Sequence, residues 1–133
     1  MAAPFQDNPI DGAKVLIVSS DYETLDGTCD YLKRVGAAPR IATNLSDAIG
    51  EASGVQAVIF FADGYAKESA LETLGAFCKG RGATVIVVVS EQVELFSMSG
   101  ASALDARVTV LRRPTWGWML LDALRTRLET ARP

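Results

Sequence analysis

The sequence contains no histidine, and its two cysteines, Cys29 and Cys78, stand far apart. Without imidazole and without a C-x-x-C pair, a zinc site would need several thiolates or carboxylates gathered from distant positions. The same absence removes the commonest general base, and no G-x-S-x-G occurs, so a hydrolase is hard to build. Ser19, Ser20 and Ser90 have no base visible in the sequence and read as hydrogen-bonding residues rather than nucleophiles. Each cysteine falls on the apolar face of a predicted helix, where a thiol packs as a small hydrophobe. No run approaches eighteen apolar residues, so no membrane-spanning helix is expected. The N-terminal stretch has neither a basic n-region nor an apolar h-region, so a signal peptide is not expected, and a cytoplasmic location is. Net charge is −3 and the longest basic run is Arg112-Arg113, which gives no footprint for nucleic acid.

What is present suits one soluble domain. The chain has 133 residues, 49% of them apolar, enough for a single core and short for two. Residues 1–12 read as a flexible leader, anchored through Phe5 or Ile10, and residues 13–133 as the domain. Residues 14–18 form a strand of apolar character running into Ser19, Ser20 and Asp21. Asp21 or Ser20 supplies the cap for a helix over 22–35, with Leu25, Cys29 and Leu32 at helical spacing and Gly36 as its left-handed stop. Gly27 lies inside that helix and weakens it by roughly 1 kcal/mol against alanine.

A short strand follows over 39–43. Asn44 then caps a helix in which Leu45, Ala48, Ile49 and Ala52 make one face. Residues 57–62 are an unbroken apolar strand ending at the turn pair Asp63-Gly64. A helix over 67–79 turns Ala70, Leu74, Phe77 and Cys78 inward. Residues 84–89 are the most β-prone run of the chain and lead to Ser90. Over 92–99 a weak helix is expected, since Ser99, Gly100 and Ser102 lower propensity. Residues 108–111 form a fifth strand, Arg113-Pro114 stops it, and a last helix covers 115–131 with Leu121, Leu124 and Leu128 on one face. Strands that are apolar throughout, alternating with helices, predict an α/β fold in which a parallel sheet is covered on both sides. In such sheets ligands bind beyond the carboxyl ends of the strands. That gathers Ser19, Ser20, Asp21, Phe61, Ala62, Asp63, Ser90 and Arg113 around one crevice.

With KVLIVSSD, the apolar third strand before Asp63-Gly64, VIVVVS ending on a hydroxyl, Gly100-Ala101 and LRRP before an amphipathic helix, residues 14–131 resemble a receiver domain of bacterial two-component response regulators. The resemblance implies a flavodoxin-like three-layer sandwich, a five-stranded parallel sheet in order 2-1-3-4-5. It also implies chemistry: two carboxylates after strand one to hold Mg²⁺, an aspartate ending strand three to take a phosphoryl group, a hydroxyl ending strand four, and a lysine before the proline after strand five. Carried over residue by residue, the acidic pair falls on Ser19 and Ser20, the phosphoacceptor on Phe61, the hydroxyl on Ser90, the lysine on Arg113, and the aromatic that often reports the state on Val110. Serine is a poor Mg²⁺ ligand and phenylalanine has no nucleophile, while Arg113 keeps the charge without the compact geometry of lysine.

The resulting expectation is a degenerate, or pseudo-, receiver: a phosphorylation-independent protein-interaction module in two-component-type signalling, without enzymatic activity and without a cofactor. One alternative keeps phosphotransfer, with Asp63 as acceptor and Asp21 assisting Mg²⁺, and requires a two-residue register shift in the third strand. A second is a small nucleotide- or flavin-binding domain, against which SSDYETLDG offers no G-x-G-x-x-G. By the resemblance, partners or a second copy would use the surface of the fourth helix, fifth strand and fifth helix. There Phe96, Val110, Trp116 and Trp118 are the candidates, with Met98 beside them. Positions 116 and 118 lie about 200° apart on an ideal helix, so at least one tryptophan is expected to be exposed if the helix has begun there.

Overall fold

The computed structural model describes residues 10–80, 85–97, 107–113 and 117–131. Five strands, β1 (Lys14–Val18), β2 (Ala38–Ala42), β3 (Ala57–Phe61), β4 (Val85–Ser90) and β5 (Val108–Arg112), form one sheet in the order β2-β1-β3-β4-β5. Every neighbouring pair is parallel, with Val15 beside Ala57, Ala57 beside Val85 and Ile86 beside Val108. Among the described residues the α-helices are α1 (Tyr22–Arg34), α2 (Leu45–Ala52), α3 (Lys67–Lys79), α4 (Val93–Ser97) and α5 (Gly117–Ala131).

The period of two along each strand splits the core into two layers. Leu16, Val18, Val58, Phe60, Ile86 and Val88 face α2 and α3, meeting Ala48, Ala52, Leu74 and Phe77. Phe60 sets the geometry of this layer, edge-on to the Phe77 ring at 5.8 Å and tilted against Tyr65 at 5.9 Å. Val15, Ile17, Ile59, Val85 and Val87 face the opposite side and pack on Leu25 and Leu32 of α1 and Leu120, Leu124 and Leu128 of α5. Residues on both faces of β1, β3 and β4 are therefore buried, which is why these strands read as continuous apolar runs.

The local signals act where they stand. Asp21 caps α1, and Asn44 caps α2 by accepting from the backbone N–H groups of Ser46 at 2.7 Å and Asp47 at 3.2 Å. Gly36 follows α1 at φ +96°, and its N–H donates to the Lys33 carbonyl. Of the two expected anchors of the leader, Ile10 is fully buried in the α1/α5 layer, and the Gly12 N–H donates to Gly36 O at 2.7 Å; Phe5 lies outside the described residues.

Several side chains differ from expectation. Ile49 is exposed, because α2 is short and turns only Ala48 and Ala52 fully into the core. Cys29 and Cys78 are half-buried, each packed on the rim of a core layer. On α5 the fully inward leucine of the first turn is Leu120, with Leu121 beside it half-buried. The third strand stops at Phe61, and Ala62–Gly64 forms a single 3₁₀ turn.

Candidate functional site

The carboxyl ends of β1, β3, β4 and β5 open on a cleft of about 530 Å³, bounded on one side by α1 and on the other by the start of α5. Ser19, Ser20, Asp21, Phe61, Asp63 and Arg113 line it, and Ser90 meets it through Asp63, but they are not equivalent. Ser19 is buried, and its Oγ accepts from the Asp21 N–H at 3.1 Å. This is a side-chain turn that steers the chain from β1 into α1. Ser20 is exposed, and its hydroxyl lies against Gly64, where an added Cβ would collide with it.

Asp21 faces its own helix. Its Oδ2 accepts from the Thr24 hydroxyl at 2.6 Å and from the Thr24 N–H at 3.3 Å. The Thr24 hydroxyl, followed by backbone N–H groups of Thr24 and Glu23 and the more distant charge of Arg113, holds the Asp21 carboxyl below the ordinary aspartate range, against an opposing desolvation effect. Both the capping role and the charge are thereby accounted for locally.

Asp63 is the centre of the site. The 3₁₀ turn after β3 swings its carboxylate across the end of β4. Oδ1 accepts from the Ser90 hydroxyl at 2.5 Å, and Oδ2 accepts from the Glu91 N–H at 2.9 Å. The Ser90 oxygen in turn accepts from the Gln92 N–H at 2.9 Å. Arg113 Nη1 stands 3.5 Å from Asp63 Oδ2, a half-exposed ion pair that solvent screens strongly. The Arg113 N–H also donates to Ser90 O at 3.3 Å. One carboxylate thus joins the ends of β3 and β4 to the residue that follows β5.

The sequence marked Asp63 as a turn residue or as a displaced acceptor needing a shifted register. The register is not shifted: Phe61 pairs with Val89 as the last rung of β3 on β4. Asp63 nevertheless reaches the crevice, because the 3₁₀ turn doubles the chain back. Phe61 itself is half-buried on the α1/α5 layer and lines the cleft.

The Mg²⁺ that the receiver resemblance implies does not fit this donor set. Ser19 and Ser20 are neutral, Asp21 is turned to its cap, and Asp63 is engaged by two hydrogen-bond donors and a guanidinium. Among the described residues, no three His, Cys, Asp or Glu side chains come together as a metal site.

The partner-surface candidates divide differently. Phe96 is a correction: it is buried in the α2/α3 layer, because the short α4 turns it onto the sheet, so it is not available to a partner. Val110 is half-buried and packs on the same layer. Trp116, the Trp118 side chain and Met98 lie outside the described residues.

Sequence reasoning missed the lower half of the cleft. Gly27, Thr28 and Tyr31 of α1 line it opposite Gly117 and Leu120 of α5. The signal was the glycine inside α1, read only as a weak point in a helix.

No protein-family model matches the sequence, and no curated protein sequence matches it. Solved structures do. A CheY-like response regulator receiver domain protein from Methanospirillum hungatei JF-1 superposes with a TM-score of 0.73 at 18% identity, over 90% of this chain and 96% of that one. A response regulator protein from Burkholderia pseudomallei, solved with a phosphorylated aspartic acid, a calcium ion and citrate, gives 0.71 at 19% identity over 89% of this chain and 69% of that one. The chemotaxis protein CheY4 of Vibrio cholerae gives 0.68 at 17% identity over 86% and 98%. At these identities the likeness is one of fold: the chain has the flavodoxin-like architecture of CheY-like receiver domains, with the same strand order.

Proposed function

We propose that this protein is a receiver-type module of two-component-type signal transduction that acts by noncovalent contact and independently of phosphorylation. The observation that carries this reading is the Asp63 carboxylate. It stands in the crevice where an acceptor would have to be free, yet both oxygens are taken, by Ser90, Glu91 and Arg113. A carboxylate held this way is a poor nucleophile, because attack would require breaking charge-assisted hydrogen bonds that are among the stronger kinds in proteins. Phe61, at the position the resemblance assigns to the acceptor, has no nucleophilic atom, and the serines after β1 supply no charge for a metal.

In this reading, which follows the receiver resemblance, the partner or a second copy of the chain meets the α4–β5–α5 side. With Phe96 turned inward, that side carries the Glu94–Arg112 ion pair, 3.6 Å apart and largely exposed. Among the described residues no helix is long and apolar enough to cross a membrane.

The deciding experiment is incubation with acetyl phosphate, or with beryllofluoride, in the presence of Mg²⁺, read by intact mass and tryptophan fluorescence. No adduct and no Mg²⁺-dependent spectral change are expected. A phosphorylated species that disappears in Asp63→Asn would replace this reading with that of a phosphoaccepting receiver using Asp63.

A further inference from the structure

The cleft continues below the strand ends, between α1 and α5, and nothing in the proposed signalling role requires that extension. Part of its lining is apolar: Val89 and Leu120 are buried, and the half-buried Phe61 lines the cleft with them. One wall is α1, where Gly27 faces open space: a Cβ built there meets nothing within 4 Å. Glycine in a helix interior costs about 1 kcal/mol against alanine, and here no neighbour requires it. What the missing side chain does is leave the wall of the cleft open. The other wall starts at Gly117, where a Cβ would come to 3.3 Å of the Tyr31 ring, so glycine lets that ring lie close against the start of α5. Two aromatic rings, Tyr31 and Phe61, therefore border one cleft whose volume is that of an ordinary small-molecule site.

Three carboxylates, Asp21, Glu23 and Asp63, and two guanidinium groups, Arg34 and Arg113, line the cleft. Asp21 is committed to its cap, Asp63 is held by the Ser90 hydroxyl and the Glu91 N–H, and Glu23 is exposed on α1. On the α5 side, the half-exposed Arg113 makes one long contact to Asp63 at 3.5 Å, leaving most of its five N–H donors available. Arg34, exposed at the end of α1, stands at the far end of the cleft, about 10 Å along the helix from Gly27.

We infer that the cleft between α1 and α5 is a binding site for a small planar aromatic anion, its ring between Tyr31 and Phe61 beside Gly27, and its acidic group paired with a guanidinium, Arg113 or Arg34. Planar guanidinium groups suit carboxylate, sulfonate and phosphate alike. This inference does not rest on the phosphorylation-independent reading and holds whether or not Asp63 accepts a phosphoryl group.

The test uses two naphthalene dyes differing in charge: 1-anilinonaphthalene-8-sulfonate and its uncharged parent N-phenyl-1-naphthylamine. The folded protein is expected to bind the sulfonate saturably at one site, at least about tenfold tighter than the uncharged dye. The double variant Arg34→Gln/Arg113→Gln should abolish that preference, and Gly27→Leu, which fills the cleft from a helix position with room for a side chain, should abolish binding of both dyes. Thermal melts of each variant establish that it is folded, and Gly27→Ala serves as the milder filling variant if Gly27→Leu is not. Absence of saturable binding to the wild type would overturn the inference, as would binding unchanged in the folded Gly27 variant or a charge preference that survives the arginine double variant.

Discussion

Asp21 shows how one side chain settles both a helix start and part of a pocket. It follows Ser19 and Ser20, and its carboxylate could have turned toward the crevice. Instead the Thr24 hydroxyl and N–H draw it onto the first turn of α1, where an anion also meets the positive end of the helix dipole. Its carboxyl is held below the ordinary range, so the charged form is favoured by folding. The sign follows from linkage. The contribution to stability is complete above the unfolded-state value, and it is lost as pH falls through that value toward the lower folded one, below about pH 4. Carboxyl chemical shifts followed by NMR should show Asp21 titrating below a peptide aspartate. In Asp21→Asn, acid unfolding should lose the part of its pH dependence that comes from this group. A titration at or above the peptide value would show that the cap does not hold in solution.

At the scale of an element, the connection from α1 to β2 has the most stringent backbone requirement. Gly36 adopts φ +96°, and its neighbourhood is filled as well: a Cβ there would come to 2.7 Å of an Asp11 carboxylate oxygen. The same residue accepts at its carbonyl from the Gly12 N–H, which fastens the segment bearing Ile10 to the sheet. Gly36→Ala should therefore destabilise the protein by more than about 1 kcal/mol, since alanine is strained in this region of φ/ψ space. Urea unfolding measures it, and a midpoint shift smaller than that would mean the turn relaxes to another conformation. The sequence located this stop because glycine after the last helical residue is a local signal. It could not tell that Asp11 would lie beside it, since the two residues are brought together only by the docking of the chain before β1.

On the scale of the whole molecule, the Asp63 carboxylate is a tie between parts distant in sequence. It joins the turn after β3 to the N–H of Glu91 and the hydroxyl of Ser90 after β4, and to Arg113 after β5. Ser90 is fully buried. Asp63→Ala would leave its hydroxyl without an acceptor, at a cost of about 1–3 kcal/mol. The loss should be local in its structural effect, lowering hydrogen-exchange protection of the Glu91 and Gln92 amides before that of β1 or β3. Unchanged stability together with unchanged protection would show that the tie carries no energy.

What the sequence determined by itself is the class of fold and the uncharged residues Ser19, Ser20 and Phe61 after β1 and at the end of β3. Continuous apolar strands alternating with amphipathic helices admit few arrangements other than a parallel sheet covered on both faces. Caps such as Asp21 and Asn44 and the stop at Gly36 are encoded within a few residues of where they act. That Ser19 and Ser20 would follow β1 came from strand limits alone, while Phe61 was singled out by the receiver resemblance, since the strand expected from the sequence runs to residue 62. The tertiary structure decided the rest. It turned Phe96 into the core, because a five-residue helix has to place its apolar face on the sheet it lies against. It brought Asp63 onto Ser90 through a 3₁₀ turn that an Asp-Gly pair does not specify. It also opened a cleft between α1 and α5 whose walls are 90 residues apart at Gly27 and Gly117. Hydrophobic period and capping are short-range, so they are legible in one dimension; the direction of a carboxylate and the space between two helices depend on packing across the sheet, and no window of sequence contains both sides.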